Sequence, residues 1–350
     1  MMRATCRAVV FTGNESYELR EFAVPDPPPG GAVLRVEAVG MCGSDVAQWH
    51  GLVTLPGMRY PIVPGHEIVG VIEKLARDAV FGVVEGDRVA VDEVVRGPGP
   101  LRVYGYTAMD DADEPGLYGG YGEFLRIVPG TVLQRLTVDT PPEELTQFEP
   151  LANAINWVQI AEVAAKQSIV IQGPGHQGLA VLQAALAAGA TDVVVTGTSR
   201  DGLRLDVARA LGAHVIDVDA QNVIAAVHER TAGRGADIVF DVSPATSTVS
   251  MSLSLVRAGG TVLLAGLKEG RPVEIVSDQI VNRSLRILGG SAFTPHSLEL
   301  AVTALNDKRV DTAALRGAVF DLDHVDDALD LLLRRDSARD AVRVSIRHTR

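Results

Sequence analysis

The stretch 168–197, SIVIQGPGHQGLAVLQAALAAGATDVVVTG, constrains this chain more than any other. Ser168–Gln172 is apolar, rich in β-branched residues and too short for a helix, which predicts a buried parallel strand. Gly173, Gly175 and Gly178 follow in the spacing G-x-G-x-x-G. Residues 179–190 are rich in alanine and leucine and predict a helix laid on a sheet. Asp192–Gly197 predicts a second strand, so the stretch reads as a βαβ unit with glycines at its first turn. In that setting Gly173 permits the tight turn, Gly175 lets a pyrophosphate approach the backbone, and Gly178 lets helix and strand pack closely. The N–H groups of the first helical turn then face the anion. A βα turn without a ligand is the plainer alternative, but the spacing has the required strand before it and helix after it. His176 and Gln177 lie within the loop, either as phosphate contacts or as solvent-facing side chains.

The alternation continues beyond this unit. Helices are expected at 203–211, 223–231 and 248–257, and strands at 214–218, 237–242, 261–267 and 285–290. With the first two strands this makes a six-strand series, the count of a dinucleotide fold. The N-terminal half reads differently. Residues 4–10 and 32–39 alternate as strands, separated by the proline-rich turn 24–31. Residues 84–91 read as a turn then a strand, 92–120 as irregular, polar and glycine-rich, and 121–128 as strand again. Helical spacing appears near 143–165 and again after 291, with a last strand near 341–346. The expected organisation is a rolled β domain from 1–152 and 292–350, with a dinucleotide-binding domain at 153–291.

A length of 350 residues favours two domains over one. The formal net charge of −12 argues against nucleic acid or an anionic membrane surface as a partner. No apolar run approaches the length of a membrane span, and the opening MMRATCRAVVFTG lacks a long apolar segment. Cys6 and Cys42 are the only cysteines, which excludes a disulfide framework. A cytoplasmic protein is the expectation.

Cys42, His66, Glu67 and Glu149 are the candidate metal ligands. Each alone has an ordinary reading: a small buried hydrophobe, a satisfied core histidine, an acid at a helix start. Chemistry joins them. An enzyme that moves hydride from an alcohol to a nicotinamide must also remove a proton that an unassisted hydroxyl does not release. A zinc ion with three protein ligands and an open fourth position lowers the pKa of a bound oxygen. Thiolate, imidazole and carboxylate are suitable ligands for it.

The motifs GMCGSD at 40–45, GHEIVG at 65–70, GDRV at 86–89, GGYGEF at 119–124, EPLA at 149–152 and GPGHQG at 173–178 stand in one order along nearly the whole chain. Together they resemble the zinc-dependent medium-chain alcohol and polyol dehydrogenases. The resemblance implies an α/β protein: a six-stranded parallel Rossmann domain plus a mostly β, GroES-like catalytic domain. Cys42 and His66 match the catalytic zinc ligands, and Glu67 matches the glutamate beside the metal, ligating directly or through water. Glu149 stands where the alcohol dehydrogenases carry a second cysteine, as in the polyol and sorbitol branch. Ser44 matches the hydroxyl that relays the alcohol's proton. Asp45 matches the carboxylate that orients the ligand histidine, a hydrogen-bonded turn being the simpler account of both residues. The resemblance also implies a homodimer or homotetramer acting on a small alcohol or carbonyl compound.

Two departures matter. Family members often hold a second, structural zinc through four cysteines in the loop after GDRV. Residues 92–120 contain none, so one catalytic zinc and no structural zinc are expected. Liver-type alcohol dehydrogenases place a histidine five residues after the cysteine ligand, and here that residue is Ala47, with His50 out of register. Trp49, His50, Asp92, Glu93 and Phe293 are candidates for the substrate pocket, whose acids would suit a polar substrate.

Cofactor preference is read from the end of the second strand, where NAD-specific folds carry an acid. Gly197 stands there, followed by Thr198, Ser199 and Arg200, two hydroxyls and a guanidinium suited to a phosphate. NAD(P) with NADP slightly favoured is therefore expected, the alternative being that Asp201 turns in to serve the ribose. The expected function is oxidation of a secondary alcohol, diol or polyol, reversible to ketone or aldehyde reduction. The rivals are a metal-free quinone or enoyl reductase on the same fold, and a non-catalytic nucleotide-binding protein.

Overall fold

The computed structural model describes residues 5–52, 55–97, 101–110, 116–335 and 339–348. Two compact units emerge, one formed by 1–149 with 302–350 and the other by 150–301. Parts of the irregular stretch expected at 92–120 lie outside the described residues, namely 98–100 and 111–115.

The first unit is mostly β. Its seven-stranded sheet runs Ala318–Phe320, Val344–Arg347, Ala32–Met41, Glu67–Leu75, Arg88–Val91 and Leu133–Arg135 in spatial order, with Phe124–Ile127 added beside Ala32–Met41. Ala32–Met41 is the hub. Its first half pairs with Phe124–Ile127, its second half with Val344–Arg347, and its other edge with Glu67–Leu75, all antiparallel. A hairpin of Thr5–Phe11 and Tyr17–Ala23 lies apart from this sheet. The apolar faces of these strands close over one core that includes Phe11, Leu34, Ile68, Leu125 and Ile346. The helix Val325–Leu332 adds Val325, Ala328 and Leu329 to it. Within 92–120 the chain is less irregular than expected, since Val94–Val95 and Arg102–Val103 pair as a two-stranded ribbon.

The second unit holds six parallel strands in the order His214–Asp217, Asp192–Gly197, Ser168–Gln172, Ala236–Asp241, Val256–Leu264 and Arg286–Gly289. By chain order this is 3-2-1-4-5-6, the doubly wound arrangement that binds dinucleotides at its reversal point. The inner strands read as unbroken apolar runs because both faces of a parallel sheet are covered. Val170, Val194, Val239 and Val262 form the core on one face, with Leu253 and Val227 from the helices. The fifth strand begins at Val256 rather than 261, directly after the helix Ser247–Leu255, and a register shift takes up its first residues. Among the described residues no helix is long and apolar enough to cross a membrane.

Candidate active site

In the mostly β unit, four neighbouring strands deliver polar side chains to one end of the sheet. Gly40 pairs with Glu67, so residues just after Ala32–Met41 and just before Glu67–Leu75 meet there. These are Cys42 and His66. The next strand, Arg88–Val91, runs antiparallel to Glu67–Leu75 and brings Asp92 and Glu93 to the same level. Met41 pairs with Val344, which brings Arg343. Glu149 arrives on the first turn of the helix Phe148–Ile160.

Local structure fixes the thiol. Cys42 is the N-cap of the helix Gly43–Trp49, with extended backbone, and its N–H donates to Asp45 Oδ2 at 2.7 Å. That is one half of a capping box whose other half sets the Cys42 side chain over the Asp45 N–H, which fixes residue 42 at the helix start. Cys42 Sγ lies 2.8 Å from Ser44 Oγ and 3.5 Å from His66 Nε2. Glu93 Oε2 is 3.9 Å from the same ring nitrogen. Cys42, His66 and Glu67 present donor atoms within 4.8 Å of one another, and so do His66, Glu93 and Glu149. The two sets share His66, with Cys42 and Glu67 beside it in one and Glu93 and Glu149 in the other.

Electrostatically the cluster is short of positive charge. Glu67, Glu93, Glu149 and Asp45 are all buried, and Arg343 is spent on Glu67. Burial pushes the Cys42 thiol up to about 11, against the pull of the His66 charge. It also raises the carboxyls of Asp45 and Glu93, although His66 draws both down. Burial opposes a charge on His66 itself, but Tyr106, Cys42 and Glu93 outweigh it and lift the imidazole well above its usual range. His66 Nδ1 and Asp45 Oδ1 have no hydrogen-bond partner among the described residues. Buried anions and orphaned polar atoms at this density are costly unless a cation gathers them. The donor set therefore fits a zinc-type ion: soft sulfur, imidazole and carboxylate, close packed and nearly dry.

Several expected roles take a different form. Asp45 serves the Cys42 backbone, and no hydrogen bond joins it to His66. Trp49 is largely buried in the core, edge-on to Phe11 at 5.5 Å. His50 is held at the surface by Glu15 at 2.9 Å. Asp92 is fully buried, paired with Arg96 and accepting the Val94 N–H, so it shapes the turn instead of facing a substrate. Phe293 belongs to the other unit. Two participants escaped sequence reasoning. The Tyr106 ring stacks at 5.4 Å, tilted, on His66. Burial raises the Tyr106 phenol, and the His66 charge, then hydrogen bonding to Ser44, partly offset it. Arg343 is the other, and neither carried a sequence signal.

In the parallel unit the glycine loop has the three environments its spacing demands. Gly173 adopts φ +109°, where a side chain would be strained. A Cβ on Gly175 would meet nothing within 4 Å, so its backbone is open to an approaching group. A Cβ on Gly178 would collide with the Gly173 carbonyl. Gly175 caps the helix His176–Ala187. Gln177 donates to the Pro150 carbonyl at 2.9 Å, so its side-chain amide is committed within the unit. Beyond Gly197, Thr198 donates its N–H and hydroxyl to Asp201. Ser199 donates to Asp219 and Asp217, and Arg200 is exposed.

Comparison with known proteins agrees with this architecture. Residues 28–136 match the alcohol dehydrogenase GroES-like domain, and 178–318 match the zinc-binding dehydrogenase domain. A Mycobacterium tuberculosis (strain H37Rv) protein named "probable alcohol dehydrogenase adh" is 34% identical, covering 93% of this chain and 94% of its own. The erythritol/L-threitol dehydrogenase of Mycolicibacterium smegmatis is 28% identical over 97% of each. A solved Sinorhizobium meliloti 1021 structure, described as a zinc-binding dehydrogenase bound to NADP, superposes with a TM-score of 0.85 at 26% identity, covering 99% of this chain and 100% of that one. Its sheet order, its ordered motifs and these matches make this chain a member of the zinc-dependent medium-chain alcohol dehydrogenase family.

Proposed function

We propose that this chain oxidises a secondary alcohol, diol or polyol with NAD(P) and, in reverse, reduces the corresponding ketone or aldehyde. The observation that carries the reading is the buried, cation-seeking cluster of Cys42, His66, Glu67 and Glu149 in a chain that also holds the glycine loop. A metal-free reductase offers no reason for a thiol, an imidazole and carboxylates to gather. In this reading the unit 1–149 with 302–350 is catalytic and 150–301 binds the nucleotide. The cluster takes one zinc, and Gly173, Gly175, His176 and Gly178 border the pyrophosphate.

Zinc held there would supply Lewis acidity, drawing the alcohol's pKa toward neutrality. The chain's own groups do the rest. Ser44 Oγ, against the Cys42 sulfur, relays the alcohol's proton, accepting it as its own hydroxyl proton passes to solvent. Tyr106, kept protonated by burial, orients that hydroxyl. Glu93 adds an acceptor beside His66, which suits a substrate with a further hydroxyl to donate. Ala47 and the surface-bound His50 leave no histidine in the relay. We read the protein as a cytoplasmic homodimer or homotetramer. Its two cysteines, one in a β core and one in the cluster, need no oxidising compartment.

The test is turnover with a panel of monohydric alcohols, vicinal diols and polyols, using each cofactor, together with metal analysis. Zinc-dependent oxidation of diols or polyols supports the reading. Equal turnover after complete removal of metal would sink it.

A further inference from the structure

The corner that follows the second parallel strand is built around carboxylates. Gly197 ends that strand and pairs with Asp217, the last residue of the neighbouring strand His214–Asp217. The Ser199 hydroxyl donates to Asp217 Oδ2 at 2.7 Å, and its N–H donates to Asp219 Oδ2 at 2.9 Å. Asp217 Oδ1 in turn accepts the Asp219 N–H at 3.0 Å, so the two acids form a single turn. Thr198 gives its hydroxyl and N–H to Asp201. The donors with which this corner would hold a phosphate are thus already given to acids. Position 197 has no room for an acid of its own, because a Cβ there would lie 2.7 Å from the Pro174 ring and 3.2 Å from the Asp201 Cβ.

The geometry points to Asp217 and Asp219 as the cofactor-specificity residues, selecting NAD over NADP from the third strand instead of the second. This rests on the reading of residues 150–301 as a nicotinamide nucleotide-binding unit. A ribose 2′-hydroxyl has a proton to donate, and a carboxylate accepts it. A 2′-phosphate has none at neutral pH, carries close to two negative charges, and competes with both acids for the same Ser199 donors. Arg200 offers a single exposed cation against the pair, and at an exposed corner one guanidinium does not outweigh two adjacent carboxylates plus the loss of Ser199. The preference that Thr198, Ser199 and Arg200 suggest by themselves is thereby reversed.

Calorimetric titration of the full-length protein with NAD+ and with NADP+, at low and high salt, tests this without relying on turnover. The wild type is expected to bind NAD+ more tightly, with a margin that narrows as salt screens the acids. Asp217→Asn combined with Asp219→Asn keeps the shape and removes both charges. It should strengthen NADP+ binding about tenfold and weaken NAD+ binding. Adding Arg200→Ala to that variant should cancel the gain. A wild type that prefers NADP+, or an Asn pair that shifts both cofactors equally, overturns the assignment. Failure of the wild type to bind either nucleotide sinks the cofactor reading itself, and the inference with it.

Discussion

The guanidinium of Arg343 grips the carboxylate of Glu67 inside the mostly β unit, and neither side chain reaches solvent. The same Nη2 donates to Thr146, 3.1 Å from its carbonyl and 3.0 Å from its hydroxyl. Room for this comes from Gly40, where a Cβ would strike both Glu67 and Arg343. Removing the cation strands a buried anion, so Arg343→Ala should destabilise the unit by about 3–5 kcal/mol. Urea unfolding measures this. A loss below about 1 kcal/mol would show that Glu67 finds other compensation.

The metal reading makes a counting prediction. Elemental analysis of purified protein should find one zinc per chain, and two would contradict it. Cys42→Ala should lose zinc and turnover while nucleotide binding persists, because the thiol and the glycine loop belong to different units. Glu149→Ala should weaken zinc retention or turnover by roughly 10–100-fold. Unchanged kinetics would reduce Glu149 to an acid at a helix start.

Ser44 and Tyr106 can be told apart. Loss of a proton-accepting group typically costs about 10²–10⁴-fold in rate, and Ser44→Ala should fall in that range. Tyr106→Phe keeps the ring on His66 and removes only the hydroxyl, so its effect should be smaller and should move the pH profile of kcat. A pH profile identical to wild type would make Tyr106 a packing residue only.

How much of this was legible in the chain follows contact range. The βαβ unit is local, and its period and glycine spacing were readable with bounds good to a few residues. Cys42, His66, Glu67 and Glu149 are legible from motifs, and each lies in one of two donor groups that share His66. Arg343 and Tyr106 are not, since each reaches His66 or Glu67 only through long-range pairing that leaves no local pattern. Trp49 and Asp92 are candidates for the substrate pocket because they adjoin motifs. Their burial depends on Phe11 and Arg96, whose approach no spacing announces. Ser199 looked free for a phosphate because Asp217 and Asp219 sit a helix away in sequence.

Cys6 gives a pH test away from the metal. Burial first, then Glu123 and Glu21, raise its thiol from 9.0 to about 11. The folded state therefore holds this proton where the unfolded chain releases it. The stabilisation is complete below pH 9 and is lost as pH rises toward 11. Unfolding midpoints measured across that interval should fall less steeply in Cys6→Ala than in wild type. Parallel slopes would show that Cys6 titrates alike in both states.

The hub strand Ala32–Met41 has a consequence for synthesis. Its partners Glu67–Leu75 and Phe124–Ile127 leave the ribosome before residues 150–301, but Val344–Arg347 leaves after them. Residues 150–301 emerge in between and carry all six strands of their own sheet. The unit begun first is thus finished after the other. Until then half of one edge of Ala32–Met41 stays open, and Glu67 waits without its cation. An unpaired edge held open during translation is a template for pairing with another nascent chain, so the span between residues 149 and 344 is the interval in which this protein most needs a chaperone.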